Sequence, residues 1–147
     1  MTELKIISSE DTFPVRHPVL RQGKPIESCF FDGDNLETTV HFGLFLKAKL
    51  VGVISVFKNK NSIFKAENQF QIRGMAILQE YQGKKYGKQL LLGCEMYVLG
   101  QKPDLIWFNA REIAVPFYEN SGYKIVGEPF EINEIGTHYI MFKDMRH

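Results

Sequence analysis

A chain of 147 residues with 18 Lys and Arg against 17 Asp and Glu, a net charge of +1, lacks the cationic excess of a dedicated nucleic-acid or membrane-surface protein. Hydrophobic residues make up 44% and charged residues 24%, so the chain can fold as a globular domain that buries roughly 70% of its unfolded surface without metals or disulfides. No apolar run reaches the ~20 residues of a membrane span, and MTELKIISSED at the start has no apolar targeting core. One soluble domain over 1–147 in the reducing cytoplasm is the expectation.

In chain order, Leu4–Ile7 reads as a short strand. Ser8–Thr12 supplies helix-start chemistry, and Phe13–Leu20 reads as a helix interrupted by Pro14 and Pro18. Residues 23–35, punctuated by Gly, Pro and Asp, are irregular. Thr38–Leu46 alternates, with Val40, Phe42, Leu44 and Leu46 on one face and His41, Gly43 and Phe45 on the other. Lys47–Lys49 turns it into a second strand, Leu50–Phe57, and the pair forms a hairpin. A polar loop with a possible short helix, 58–68, leads to a third strand, Phe70–Ile77.

The segment LQEYQGKKYGKQLL, residues 78–91, then joins that strand to a helix over 86–99. Its Leu90, Leu91, Cys94, Tyr97 and Val98 make one apolar stripe. Gly100 and Pro103 end the helix. Leu105–Phe108 is a buried strand, and Arg111–Asn120 a helix with Ile113, Ala114, Phe117 and Tyr118 on its apolar side. Gly122 stops that helix, and strands near 123–126 and 138–142 close the chain. The order β-α-β-β-β-α-β-α-β-β is a mixed α/β fold. Cys29 and Cys94 have neither metal spacing nor a CxxC, so they read as buried thiols, and no metal is expected.

The chemistry concentrates at 83–88, GKKYGK. A helix N-terminus offers N–H groups without intrahelical partners and the positive end of the helix dipole. A glycine-bearing entry lets those groups approach a phosphate, and Lys84, Lys85 and Lys88 add charge. The P-loop pattern is absent, since Gly83 and Gly87 stand too close and Gln89 follows Lys88. No GxGxxG occurs either. From spacing alone, a solvated lysine-rich turn explains the segment equally well.

Residues 75–91, MAILQEYQGKKYGKQLL, resemble the acetyl-CoA-binding motif of the GNAT family of N-acetyltransferases: an apolar strand, a turn, then [QR]-x-x-G-x-[GA] opening a helix. Gln82 takes the first position, Gly87 the last, and Lys85 stands where the middle glycine would be. Residues 114–123, AVPFYENSGY, resemble the family's second signature, A-x-x-F-Y-x-x-x-G-[FY]. The resemblance spans about 38–143 and implies a single-domain GNAT-like acyl-CoA N-acyltransferase fold. The N-terminal pieces Val15–Leu20, Asp32–Asp34 and His41 are similar to a bacterial subgroup of the family.

The resemblance implies acetyl-CoA as cosubstrate. Its pantetheine arm would lie along Met75, Ala76 and Ile77, and its pyrophosphate on Gln82, Gly83, Lys84, Lys85, Tyr86, Gly87 and Lys88. A lysine at 85 suits that role if its φ is negative. Tyr118 matches the tyrosine that protonates the departing thiolate; the alternative is a core residue on an amphipathic helix. Arg111 stands where the family often has asparagine, with Asn109 two residues earlier.

No residue declares itself as general base. Gln71 occupies the position of a glutamate found in several members, and Glu80 lies in the turn. His41 and His138 have suitable intrinsic pKa values, ~6.5, and water is a further option. Arg73, on the Gln71, Arg73, Met75 side of its strand, is expected to line the acceptor site and favour a carboxylate- or phosphate-bearing acceptor, a plain salt bridge being the alternative.

The sequence therefore points to an enzyme moving acetyl from acetyl-CoA to an amine, on a small molecule or a peptide, by direct transfer. Neither cysteine has a histidine nearby in sequence for a covalent route. A non-catalytic acyl-CoA-binding sensor and an interaction protein without CoA stay open, as do monomer and homodimer.

Overall fold

The computed structural model describes residues 1–146. Seven strands form one sheet: β1 (Thr2–Ile7), β2 (Val40–Leu46), β3 (Lys49–Phe57), β4 (Gln69–Ile77), β5 (Leu105–Arg111), β6 (Lys124–Ile132) and β7 (Gly136–Asp144). Their spatial order is β1-β2-β3-β4-β5-β7-β6. Three helices accompany them: α1 (Phe13–Leu20), α2 (Tyr86–Leu99) and α3 (Val115–Asn120). No helix among the described residues is long and apolar enough to cross a membrane.

The β2–β3 hairpin forms as its alternation predicts. Lys47 and Ala48, at φ 49° and 68°, make the left-handed two-residue turn that matches strand twist. One face of the sheet carries the main core, where Phe42, Leu44, Ile54, Val56, Ile72 and Phe108 meet Leu90, Leu91, Cys94 and Val98 of α2. The opposite face takes α1, with Val15 against Val53 and Ala76.

Three expectations about helices change. Helix α1 runs through Pro18 rather than breaking there. Pro14 lies in the first turn, where an N–H has no partner in any case, so Pro18 alone removes an intrahelical bond. The loop over 58–68 holds no helix. Residues 111–120 are not one helix: β5 continues to Arg111 by pairing with His138 of β7, and a 3-10 turn at Glu112–Ala114 precedes α3. Ile113 is consequently 89% exposed instead of lying on an apolar helix face.

The join of β4 to β5 positions everything that follows. All other neighbours in the sheet are antiparallel, whereas β4 and β5 run parallel and pair only over Gln69–Gln71 with Leu105–Trp107. Beyond that point the two strands separate.

β4 also carries a bulge. Val53 faces Ala76 and Ser55 faces Arg73, so two steps on β3 oppose three on β4. Gly74 makes the bulge possible: its φ is +68°, and a Cβ there would lie 2.9 Å from Phe31 Cε2. The extra residue reverses the alternation. Arg73 and Ala76 therefore share the α1 face while Met75 packs against the main core, so Arg73 and Met75 do not share a side.

Candidate active site

Where β4 and β5 part, a cleft of about 510 Å³ opens, lined by β4 from Gln71 to Ile77 and β5 from Phe108 to Arg111. Gln82, Tyr118 and Ala114 border it on the side of α2 and α3. Val19, Leu20, Arg21 and Phe31 border it on the side of α1. The β4 edge past Gln71 has no strand partner across the gap, so its peptide groups there are available to a bound molecule.

The glycine–lysine turn stands at one mouth of this cleft. Gly83 and Lys85 are both left-handed, at φ +78° and +68°. Lys85 thus adopts the conformation that the motif glycine adopts freely, and the condition of a negative φ is not met. A non-glycine residue there costs about 1 kcal/mol.

Lys85 is also the N-cap of α2 and makes no side-chain cap. The first intrahelical bond at this end runs from the Gln89 N–H to the Lys85 carbonyl, which leaves the N–H groups of Tyr86, Gly87 and Lys88 outside the helix ladder. Lys84, Lys85 and Lys88 are exposed around them. Three free donors, a helix dipole and three ammonium groups fit a pyrophosphate. Gln82 does a second job by donating from Nε2 to the Ile77 carbonyl at 2.9 Å, which ties the turn to the end of β4.

Tyr118 of α3 leans on Phe108 of β5, ring centroids 4.3 Å apart, at the edge of the gap. Burial pushes its hydroxyl up to about 12, so it holds its proton at any physiological pH. It has no hydrogen-bond partner among the described residues. A protonated, unengaged hydroxyl facing a cleft can give its proton away.

Arg73, Asn109 and His138 also line the cleft. Arg111 and His138 are directly paired across β5 and β7, which brings residues 27 apart in sequence onto one wall. His138 Nδ1 lies 2.8 Å from the Gly136 carbonyl, and a carbonyl only accepts. In the neutral ring Nδ1 therefore carries the proton, and Nε2 keeps its lone pair. Gln71 is buried and accepts from Asn59 Nδ2 at 2.9 Å. Glu80 is exposed in the 3-10 turn after β4 and does not line the cleft.

His41 is not brought to this site. Its Nε2–H donates to the Asp34 carbonyl at 2.8 Å, and its Nδ1 accepts from the Ser55 hydroxyl at 2.6 Å. The ring belongs to a buried network in which Arg16 donates to both carboxylate oxygens of Asp34, to the Cys29 carbonyl and to Ser55 Oγ. Burial lowers the His41 pKa, as does the nearby Arg16, against the raising influence of Asp34. The network joins Arg16 of the Val15–Leu20 segment to Asp34, and no local pattern announces it. Its only sequence signal is an arginine inside an apolar helix segment, with no spacing to indicate its partner.

The cysteines are both buried, and burial raises both thiols. Among the described residues no group of three or more His, Cys, Asp or Glu is placed to hold a metal ion.

A parting parallel strand pair with an uncapped helix start beside it fits what the resemblance over 75–91 and 114–123 implies, and comparison with known proteins agrees. Residues 32–143 match the acetyltransferase (GNAT) domain family. The chain is 34% identical over 146 residues to the uncharacterized N-acetyltransferase YitI of Bacillus subtilis, covering 99% of this chain and 98% of that one. The fold is shared with Escherichia coli ElaA, at a TM-score of 0.79 and 17% identity over 98% of this chain and 100% of the other. It is shared also with an aminoglycoside 6'-N-acetyltransferase solved with coenzyme A, at 0.78 and 13%, over 99% and 98%. The chain belongs to the GNAT family and is an acetyltransferase.

Proposed function

We propose that the protein transfers acetyl from acetyl-CoA to the amine of a small molecule or peptide, directly, within a ternary complex on one domain. The observation that carries this reading is the unpaired β4 edge, with Tyr118 and His138 both lining the gap beside it. In this reading Met75, Ala76 and Ile77 offer peptide groups to the pantetheine arm. Tyr86, Gly87 and Lys88 offer N–H groups to the pyrophosphate, and Gln82, Gly83, Lys84 and Lys85 shape and charge that mouth.

The amine lone pair attacks the thioester carbonyl carbon, the carbon–sulfur bond breaks, and sulfur leaves with the electron pair. Tyr118 gives its proton to that sulfur. His138 Nε2, directly or through a water, receives the proton that the nitrogen sheds. Asn109, exposed at the same wall, is placed to hydrogen-bond the acceptor. Direct transfer is favoured over an acetyl-cysteine because Cys94 is fully buried in the main core and its thiol is held far from the thiolate form.

The test is thiol release from acetyl-CoA across a panel of amine classes, with both substrates varied. Intersecting double-reciprocal lines are expected. Parallel lines would indicate a covalent intermediate, and the absence of amine-dependent thiol release would refute acetyl transfer to an amine.

A further inference from the structure

On the α1 side of the cleft the charges are all of one sign. The guanidinium carbons of Arg21 and Arg73 each lie 5.0 Å from the centroid of the Phe31 ring, so they are no farther apart than twice that distance. Arg73 is half-buried, stacked also over Phe57 at 5.3 Å, and has no hydrogen bond or ion pair among the described residues. Arg21 donates from Nε to the Ser28 carbonyl and from Nη1 to the Leu20 carbonyl, which leaves Nη2 uncommitted. Arg111 enters the same cleft from β5.

No aspartate or glutamate among the described residues lines this cleft. The nearest carboxylates that Arg73 feels are Asp34 and Asp32. Asp34 is already committed to Arg16 at 2.6 Å, and Asp32 makes no ion pair with either cleft arginine. A second cavity of about 300 Å³ shares Arg21 and Arg111 with the cleft. It adds Lys24 and Glu134, which face each other at 3.9 Å.

A half-buried guanidinium held by two aromatic faces, with its donors unused, is a site prepared for an anion. The same wall would repel a polycation, since no carboxylate is present to receive a second ammonium group. Taking the transfer reading above as given, we infer that the natural acceptor is an amine bearing an anionic group, a carboxylate or a phosphate. That group is gripped by Arg73 and Arg21 across Phe31, while the amine lies toward Asn109 and His138.

Matched acceptors test this. The first arm measures kcat/KM for amino acids against their amides, for 4-aminobutyrate against butylamine, for 3-aminopropylphosphonate, and for the polycation spermidine. Anionic acceptors should exceed their uncharged partners by about tenfold or more, with spermidine poorest. The carboxylate and phosphonate members distinguish which anion is preferred. Arg73→Gln should remove the difference by raising KM for the anionic acceptors about tenfold or more while KM for butylamine shifts far less.

The second arm uses calorimetry on the CoA-loaded protein and needs no turnover. The products 4-acetamidobutyrate and 3-acetamidopropylphosphonate should bind more tightly than N-butylacetamide, and Arg73→Gln should abolish the preference. Absence of any preference for charged members in both arms, or equal loss on all acceptors in Arg73→Gln, overturns the inference. If uncharged amines or spermidine are turned over best, only the inference fails. If no acceptor releases thiol although acetyl-CoA binds, the transfer reading fails while the binding arm still decides the anion site.

Discussion

Two arginines meet on one phenylalanine, and their surroundings could hardly differ more. Arg16 lies 3.9 Å from the Phe31 centroid, has no exposed surface, and spends both terminal nitrogens on Asp34, Cys29 and Ser55, while its buried Nε has no partner. Arg73, 5.0 Å from the same centroid, keeps every donor free and faces the cleft. The first belongs to a closed circuit: Arg16 to Ser55, Ser55 to His41, His41 to the Asp34 carbonyl, and the Asp34 carboxylate back to Arg16. That circuit anchors α1 and the segment after it on the sheet. The second stands in a gap that the anchored elements hold open. Polar groups engaged within the fold give rigidity, and a guanidinium facing the cleft with no partner can take one from outside.

The comparison breaks most severely at the closed circuit. Arg16→Met leaves the Asp34 carboxylate buried and unpaired and should cost roughly 3–5 kcal/mol, a large share of a typical domain's stability. Denaturant unfolding would show this directly.

The open side responds in the opposite sense. Tyr118→Phe removes a hydroxyl with no partner, so stability should move by about 0.5 kcal/mol or less, while kcat should fall on the order of 100-fold or more. Because that hydroxyl keeps its proton up to about 12, the wild-type rate should show no loss attributable to Tyr118 between pH 7 and pH 9 (both ordinary assay values). Full turnover in Tyr118→Phe would remove the tyrosine from the mechanism.

Lys85→Gly sharpens the same contrast at lower energy. Releasing a lysine from φ +68° should stabilise the fold by about 1 kcal/mol, yet weaken acetyl-CoA binding through the lost charge. Thermal unfolding and calorimetry would give the two effects opposite signs.

The smallest effect is a pH slope. His41 has a folded pKa below its unfolded value near ~6.5, so the unfolded chain binds the extra proton. The contribution of the neutral ring is complete above that pH and is lost as pH falls below it. Stability measured from pH 7.5 to pH 5 (a chosen range around ~6.5) should therefore decline, and His41→Gln should flatten part of the decline. An unchanged slope in that variant would mean that other groups carry it.

Much of this arrangement can be read along the chain. The alternation from Val40 to Phe57 predicts the hairpin because side chains on a strand point to opposite faces with a fixed period. The stripe through Leu90, Leu91, Cys94 and Val98 predicts α2 for the corresponding reason. The resemblance over 75–91 and 114–123 predicted the family correctly, since those motifs lie within single elements and their joins. Alternation failed at Arg73 and Met75, where Gly74 inserts a bulge whose existence depends on the register with β3 and on Phe31 lying beneath it. The helix expected from Arg111 starts only at Val115, because pairing with His138 holds Arg111 in a strand.

Sequence alone thus determined the β2–β3 hairpin, the stripe of α2 with its start at Tyr86, and the family, because each is written in residues close together in the chain. The separation of β4 from β5, the meeting of Arg21, Arg73, Asn109, Tyr118 and His138 at one gap, and the opposite roles of Arg16 and Arg73 came from tertiary structure. Those features rest on pairings between residues tens of positions apart, and no local pattern of side-chain type records which distant backbone a strand will meet.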